Sequence, residues 1–131
     1  MGFLSVLVAA FAAFAFGAIY YMVLSKPWME ASGVETTPDG KPINSSNPLP
    51  YLVSFVCIIL VAGMMRHTFA LSGIDSAGKG ILSGLGVGLF FISPWIFINV
   101  GYENRPWRLA VINSGYATGA AAIIGFVLTV L

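Results

Sequence analysis

Four long apolar stretches alternate with three polar connections along the chain. Residues 3–24, 49–65, 80–100 and 109–131 contain no Asp, Glu, Lys, Arg or His. An α-helix needs about 17–25 mostly apolar residues to cross a hydrocarbon core about 30 Å thick, and each stretch falls in that range. Because the apolar residues are continuous rather than alternating, a closed β-barrel is excluded. The pattern therefore predicts four transmembrane helices.

The expected fold is an all-α integral membrane protein, an antiparallel four-transmembrane-helix bundle that forms one domain over residues 1–131. We place the spans at about residues 3–24, 49–70, 80–100 and 107–131. Short links make consecutive helices antiparallel, so connections 25–48 and 101–106 lie on one side of the membrane. Trp28, Met29 and Val34 predict a short interfacial helix in the first connection, and Asp75 or Ser76 is the expected cap of span three.

Composition narrows the function. Hydrophobic residues make up 58% of the chain and charged residues 8%, against about 25% charged in soluble domains. The net charge of +1 gives no basic surface for nucleic acid. Cys57 and His67 stand about three helical turns apart and form no nucleophile–base pair. No cluster has metal-ligand spacing, so we expect no metal, no cofactor and no enzymatic activity.

The positions of the charged residues bear on transport and orientation. None lies at the centre of a span, where ion-coupled carriers place such groups. Connections 25–48 and 101–106, with the adjoining start of span four, carry four basic residues against two on the opposite side. The positive-inside rule therefore predicts that these two connections are cytoplasmic. The four are Lys26, Lys41, Arg105 and Arg108, and the two are Arg66 and Lys79.

Small residues recur at helical spacing in three spans, where they let helix backbones approach closely. Spans one, three and four are therefore expected to form a tight core, with span two peripheral or facing a partner. A ridge of small residues that is not used inside the bundle would allow two copies of the chain to associate. The helix-packing residues are Ala9, Ala13 and Gly17 in span one, Gly80, Gly84 and Gly88 in span three, and Gly115 and Gly119 in span four.

Every Tyr and Trp falls in the half of the bundle near connections one and three. This pattern fits either a one-sided anchor at the membrane interface or a surface for a ligand or partner. Asn99 and Asn113 have similar expected depths in spans three and four, which predicts a hydrogen bond between them. Glu103 is expected to pair with Arg105 or Arg108. The candidate binding residues are Trp28, Trp95, Asn99, Glu103, Arg105, Trp107, Arg108, Asn113 and Tyr116.

Pro94 interrupts span three. It removes one backbone donor and leaves the carbonyl of Phe90 without its helical partner, so we expect a kink at this point. Ser93 or a neighbouring helix is expected to satisfy the freed carbonyl.

Two stretches, FGAIYYMVLSKPWMEASG and ENRPWRLAVINSGY, resemble the domain-of-unknown-function family numbered seventeen-sixty-one. The more specific motif is Arg105-Pro106-x-x-Leu109-x-x-Ile112-Asn113-x-Gly115-Tyr116. The resemblance implies a small four-span protein of the bacterial inner membrane with no established activity. Family members often carry histidine after the tyrosine, whereas this chain has Ala117, which argues against a shared catalytic site.

The function expected from these patterns is a non-enzymatic structural or accessory role. Its partners would be membrane lipids and either further copies of the chain or a larger membrane complex. The alternative is a small-molecule channel or carrier built from several copies. The surroundings of Trp95, Asn99, Asn113 and Tyr116 separate the two, because a channel needs these side chains around an open, hydrated cavity.

Overall fold

Four apolar helices long enough to cross a membrane dominate the computed structural model, which describes residues 2–131. The predicted all-α fold is confirmed, since no strand is present within that range. Residues 2–131 form six α-helices and one π-helical segment: α1 (Phe3–Val23), α2 (Ser25–Ser32), α3 (Leu49–Ser72), α4 (Ala77–Gly86), the π-helix Val87–Ile92, α5 (Ser93–Tyr102) and α6 (Trp107–Val130). Spans one, two and four are α1, α3 and α6, and span three is Ala77–Tyr102.

Span four is the central helix of the bundle. It packs along span one on one side and along span three on the other, and it is antiparallel to both. Of its most apolar stretch, 44% is buried, the largest share among the four spans. The expectation of one tight core formed by spans one, three and four needs correction, because spans one and three have no extended contact with each other.

The glycines of span three allow the closest helix contact. A Cβ atom added at Gly80, Gly84 or Gly88 would meet backbone atoms of span four. The glycines between spans one and four do something different. A Cβ at Gly17, Gly115 or Gly119 would instead meet an aromatic ring on the facing helix. Small residues therefore bring backbones together at one interface and make room for rings at the other.

Span two is peripheral, as the lack of a small-residue ridge predicted. It packs mainly on span one, with a smaller contact to span four near Phe69 and Met65. Only 11% of its most apolar stretch is buried. Spans two and three have no extended contact, so the bundle is open between them.

The π-helix absorbs the disturbance that Pro94 causes in span three. Residues Val87–Ile92 form the wider helix just before the proline. The Ser93 hydroxyl donates a 2.6 Å hydrogen bond to the carbonyl of Gly88, five residues earlier. The same carbonyl also accepts the backbone N–H of Ser93, so the Ser93 hydroxyl bonds Gly88 and not the carbonyl of Phe90 for which it was expected. Insertions of this kind are a known way to fit an interruption into a helix.

Both ends of span three have defined caps. Of the two predicted caps of span three, Asp75 and Ser76, the structure uses Ser76, whose hydroxyl accepts from the amide of Lys79 at 3.4 Å. Asn104 is the one non-glycine residue with positive φ among residues 2–131, at 56°. The amides of Asn104 and Arg105 donate to the carbonyls of Gly101 and Val100. This pattern ends span three in a Schellman motif with asparagine in the left-handed position.

Candidate functional site

Five aromatic rings gather where spans one and four meet helix α2. Neighbouring centroids lie 5.2–6.1 Å apart, in stacked, tilted and edge-on arrangements. The pattern LSKPWMEAS folds α2 directly after span one, which brings its tryptophan back onto the bundle. We call this group the aromatic cluster; its members are Phe16, Tyr20, Tyr21, Trp28 and Tyr116.

The three tyrosine hydroxyls of the aromatic cluster join span one to span four. Tyr20 donates to the carbonyl of Ile112 at 2.6 Å, and Tyr116 donates to the carbonyl of Ala13 at 3.3 Å. Tyr21 donates to Asn113 Oδ1 at 2.8 Å. Because hydrocarbon offers no competing donors or acceptors, these bonds fix the register of the two helices.

The predicted hydrogen bond between Asn99 and Asn113 is wrong. Asn113 bonds to Tyr21 of span one, while Asn99 is exposed on span three and has no side-chain hydrogen bond within residues 2–131. Matching depth placed the two asparagines at one level of the membrane. It did not decide which face of each helix they occupy.

The charged candidates lie on the turn between spans three and four and on α2. Arg105 Nε stands 3.2 Å from Glu103 Oε1, which is one of the two expected pairings. Arg105 also donates to the carbonyl of Ser32 at the end of α2, and Arg108 pairs with Glu30 at 3.3 Å. These side chains are about half exposed, so each ion pair stabilises the protein by about 0–1 kcal/mol. Their effect is to hold α2 against the turn.

The remaining candidates point away from the aromatic cluster. Trp95 and Trp107 are more than 60% exposed, and the Trp107 ring stacks on Phe97 with centroids 6.2 Å apart. The structure therefore divides the nine sequence candidates into three groups. Trp28, Asn113 and Tyr116 meet inside the bundle, Glu103, Arg105 and Arg108 lie at the turn, and Trp95, Asn99 and Trp107 are exposed on the outside.

An apolar groove lies in the opening between spans two and three. Its volume is about 300 Å³, its floor is span four, and Asn113, Tyr116 and Tyr21 stand together among its lining. The walls are four partly exposed β-branched residues, Ile58 and Val61 on span two and Ile92 and Ile96 on span three. Among residues 2–131, no charged side chain lines the groove. The apolar pattern gave no means of finding these wall residues, since most positions in the spans look alike.

Within residues 2–131, no three His, Cys, Asp or Glu side chains lie close enough together to hold a metal ion. Cys57 is exposed on span two. The polar chemistry in the bundle interior therefore consists of hydroxyl and amide groups.

Tyr21→Phe and Asn113→Leu are each expected to lower the free energy of unfolding by about 0.6–2 kcal/mol, because each removes the same interhelical hydrogen bond. The double variant should cost less than the sum of the single ones, since the bond is lost only once. Denaturation in mixed micelles, followed by circular dichroism, measures this. Asn99→Leu is the control and should change little. Additive losses would contradict a direct bond between the two side chains.

Comparison with known proteins bears on the resemblance noted above. No curated protein and no solved structure matches the sequence. The family model described as "Protein of unknown function (DUF1761)" matches residues 4–129. The match covers all four spans and both stretches that carry the resemblance. The chain therefore belongs to the DUF1761 family, whose function is unknown.

Proposed function

We propose that this protein is a small, non-enzymatic accessory protein of the bacterial inner membrane, which packs with a second copy of itself through span two. The observation that carries the proposal is the packing of span two, which rests mainly on one neighbour and leaves most of its surface outside the bundle. A span with so little internal packing has its outer face available for another helix, and close van der Waals contact drives such association in lipid.

The outer face of span two has the spacing of a helix–helix seam. Val53, Cys57, Leu60, Met64 and Leu71 are all exposed. They follow one another at intervals of three, four or seven residues, the repeat that keeps one stripe facing a partner helix. Medium-sized side chains along such a stripe suit a left-handed crossing of two copies.

The channel or carrier alternative has less support. Asn113 and Tyr116 are engaged in hydrogen bonds between spans one and four, and the groove beside them is lined almost wholly by apolar side chains. Trp95 and Asn99 do not line this groove. A water-filled path needs polar groups along its length.

The orientation of the protein in the membrane is proposed from the distribution of its basic residues. Connections 25–48 and 101–106, with α2 packed on the second of them, are placed in the cytoplasm. The resemblance to small bacterial membrane proteins supports the inner membrane as the location.

Cys57 makes the proposed contact directly testable, because it is the chain's one cysteine and lies on the proposed seam. We expect iodine, which dissolves in the bilayer and oxidises two thiols to a disulfide, to join two copies in native membranes through Cys57, giving a band at twice 13.9 kDa. The matched control carries Cys57→Ser together with Phe11→Cys, which moves the thiol to the exposed face of span one; it should crosslink far less.

Native mass spectrometry after gentle extraction gives a second test. A mass of two chains supports the proposal. A single chain, or one chain bound to a different polypeptide, overturns self-association, and the latter result would identify the complex that the protein serves.

A further inference from the structure

We propose that the groove between spans two and three binds a neutral, membrane-dissolved molecule with a carbonyl oxygen, of the isoprenoid quinone type. The occupant would place its carbonyl at Asn113 and its apolar tail along span four toward Ile124. This site is separate from the seam on the outer face of span two.

The Asn113 amide supplies the recognition. Its Oδ1 atom accepts from Tyr21, and its N–H groups donate to no group within residues 2–131. Asn113 lies six residues beyond Trp107, about 9 Å along the helix axis. A donor left without an acceptor in hydrocarbon is costly, so an acceptor on a bound molecule would stabilise this arrangement.

The volume of the groove is that of a small-molecule site. Small-molecule sites begin at about 300 Å³, the volume found here. The groove therefore fits a small molecule that has a compact head group and a short apolar tail.

The depth of Asn113 in the membrane and the uncharged lining of the groove favour a quinone over a phospholipid. Span four has 24 residues and is about 36 Å long, so a centred span extends about 3 Å beyond each side of the hydrocarbon core. Asn113 then lies about 6 Å inside that core, below the level of lipid ester groups. In the part of the chain that the structure describes, no charged side chain lines the groove to hold a carboxylate or phosphate. A quinone carries its carbonyls on an apolar ring and enters this depth without a charged headgroup.

The rings beside Asn113 fit a flat head. Tyr21 and Tyr116 both line the groove, with centroids 5.4 Å apart. Aromatic pairs at such distances stabilise one another by offset or edge-on contact, and a quinone ring can join them. Trp28 stands 6.1 Å from Tyr21 by ring centroids, so it lies close enough to report on an occupant.

The test titrates the purified full-length protein in detergent with a benzoquinone that bears one isoprene unit. Trp95→Phe and Trp107→Phe remove the two exposed tryptophans, which leaves Trp28 as the single fluorescent reporter. We expect saturable quenching of Trp28. The same prenyl chain on a benzene ring lacks the carbonyls and does not quench, so it is added as a competitor of the quinone; it should bind about tenfold more weakly, the factor for one hydrogen bond in a membrane.

Two groove variants and one control complete the test. Asn113→Leu should weaken quinone binding about tenfold and remove the preference over the carbonyl-free ligand. Val61→Phe, which narrows the groove from span two without touching Asn113, should also weaken binding. Asn99→Leu, outside the groove, should bind as the parent does. Equal, unsaturable quenching in all variants overturns the proposal. So does native mass spectrometry that finds one phospholipid per chain in place of a quinone.

Discussion

Gly84→Ala is expected to lower the free energy of unfolding by about 1–3 kcal/mol, the usual cost of forcing extra atoms into a packed interface. The new methyl group would meet the carbonyl of Ala121 and the Cα atom of Ala122 on span four. Backbone atoms cannot rotate away as a flexible side chain can. The two helices would have to separate along the closest contact in the bundle.

Gly86→Ala is the matched control for this experiment. It lies two residues away in the same helix, and no atom stands within 4 Å of a Cβ added there. Because alanine favours a helix over glycine by about 1 kcal/mol, Gly86→Ala should be neutral or stabilising. Thermal melting in detergent, followed by circular dichroism, compares the two variants. Equal effects would mean that spans three and four do not approach through Gly84.

Phe69→Ala is expected to cost about 3 kcal/mol and to loosen span two from the rest of the bundle. Phe69 is 1% exposed and packs in the cluster that contains Val6, Met65 and Leu128. Removing its ring leaves a cavity that the surrounding helices fill only in part. The cost falls at the low end for such changes, since hydrocarbon rather than water surrounds the unfolded spans.

Phe11→Ala provides the same chemical change at a site with little packing. Phe11 is on span one and is 67% exposed, so its ring contacts lipid in the folded protein. The expected change is within about 0.5 kcal/mol. Denaturation in mixed micelles measures both variants. Similar losses at the two sites would contradict the packing of span two on spans one and four.

The sequence was sufficient for features that depend on local chemistry. The lengths of the apolar runs predicted four spanning helices. The serine before span three predicted its cap, and the weak small-residue pattern of span two predicted a peripheral position. The pairing of Glu103 with Arg105 followed from their closeness in sequence.

Features that depend on helix rotation escaped prediction. Asn113 was expected to face span three, but it bonds to Tyr21 on span one. In a span whose residues are almost all apolar, hydrophobic periodicity does not indicate which side faces lipid. The glycines showed where close approach was allowed, but not whether a backbone or an aromatic ring would fill the space.

The sequence by itself determined the number of spans, their antiparallel order and the polar character of the connections. The physical reason is that continuous apolar runs of this length can cross the bilayer only as helices. The tertiary structure decided that span four is central, that the bundle is open between spans two and three, and that Asn113 stands at the groove. These features arise from side-chain fit between helices that are far apart in sequence. Lipid and protein interior are similarly apolar, so hydrophobicity along the chain does not encode that fit.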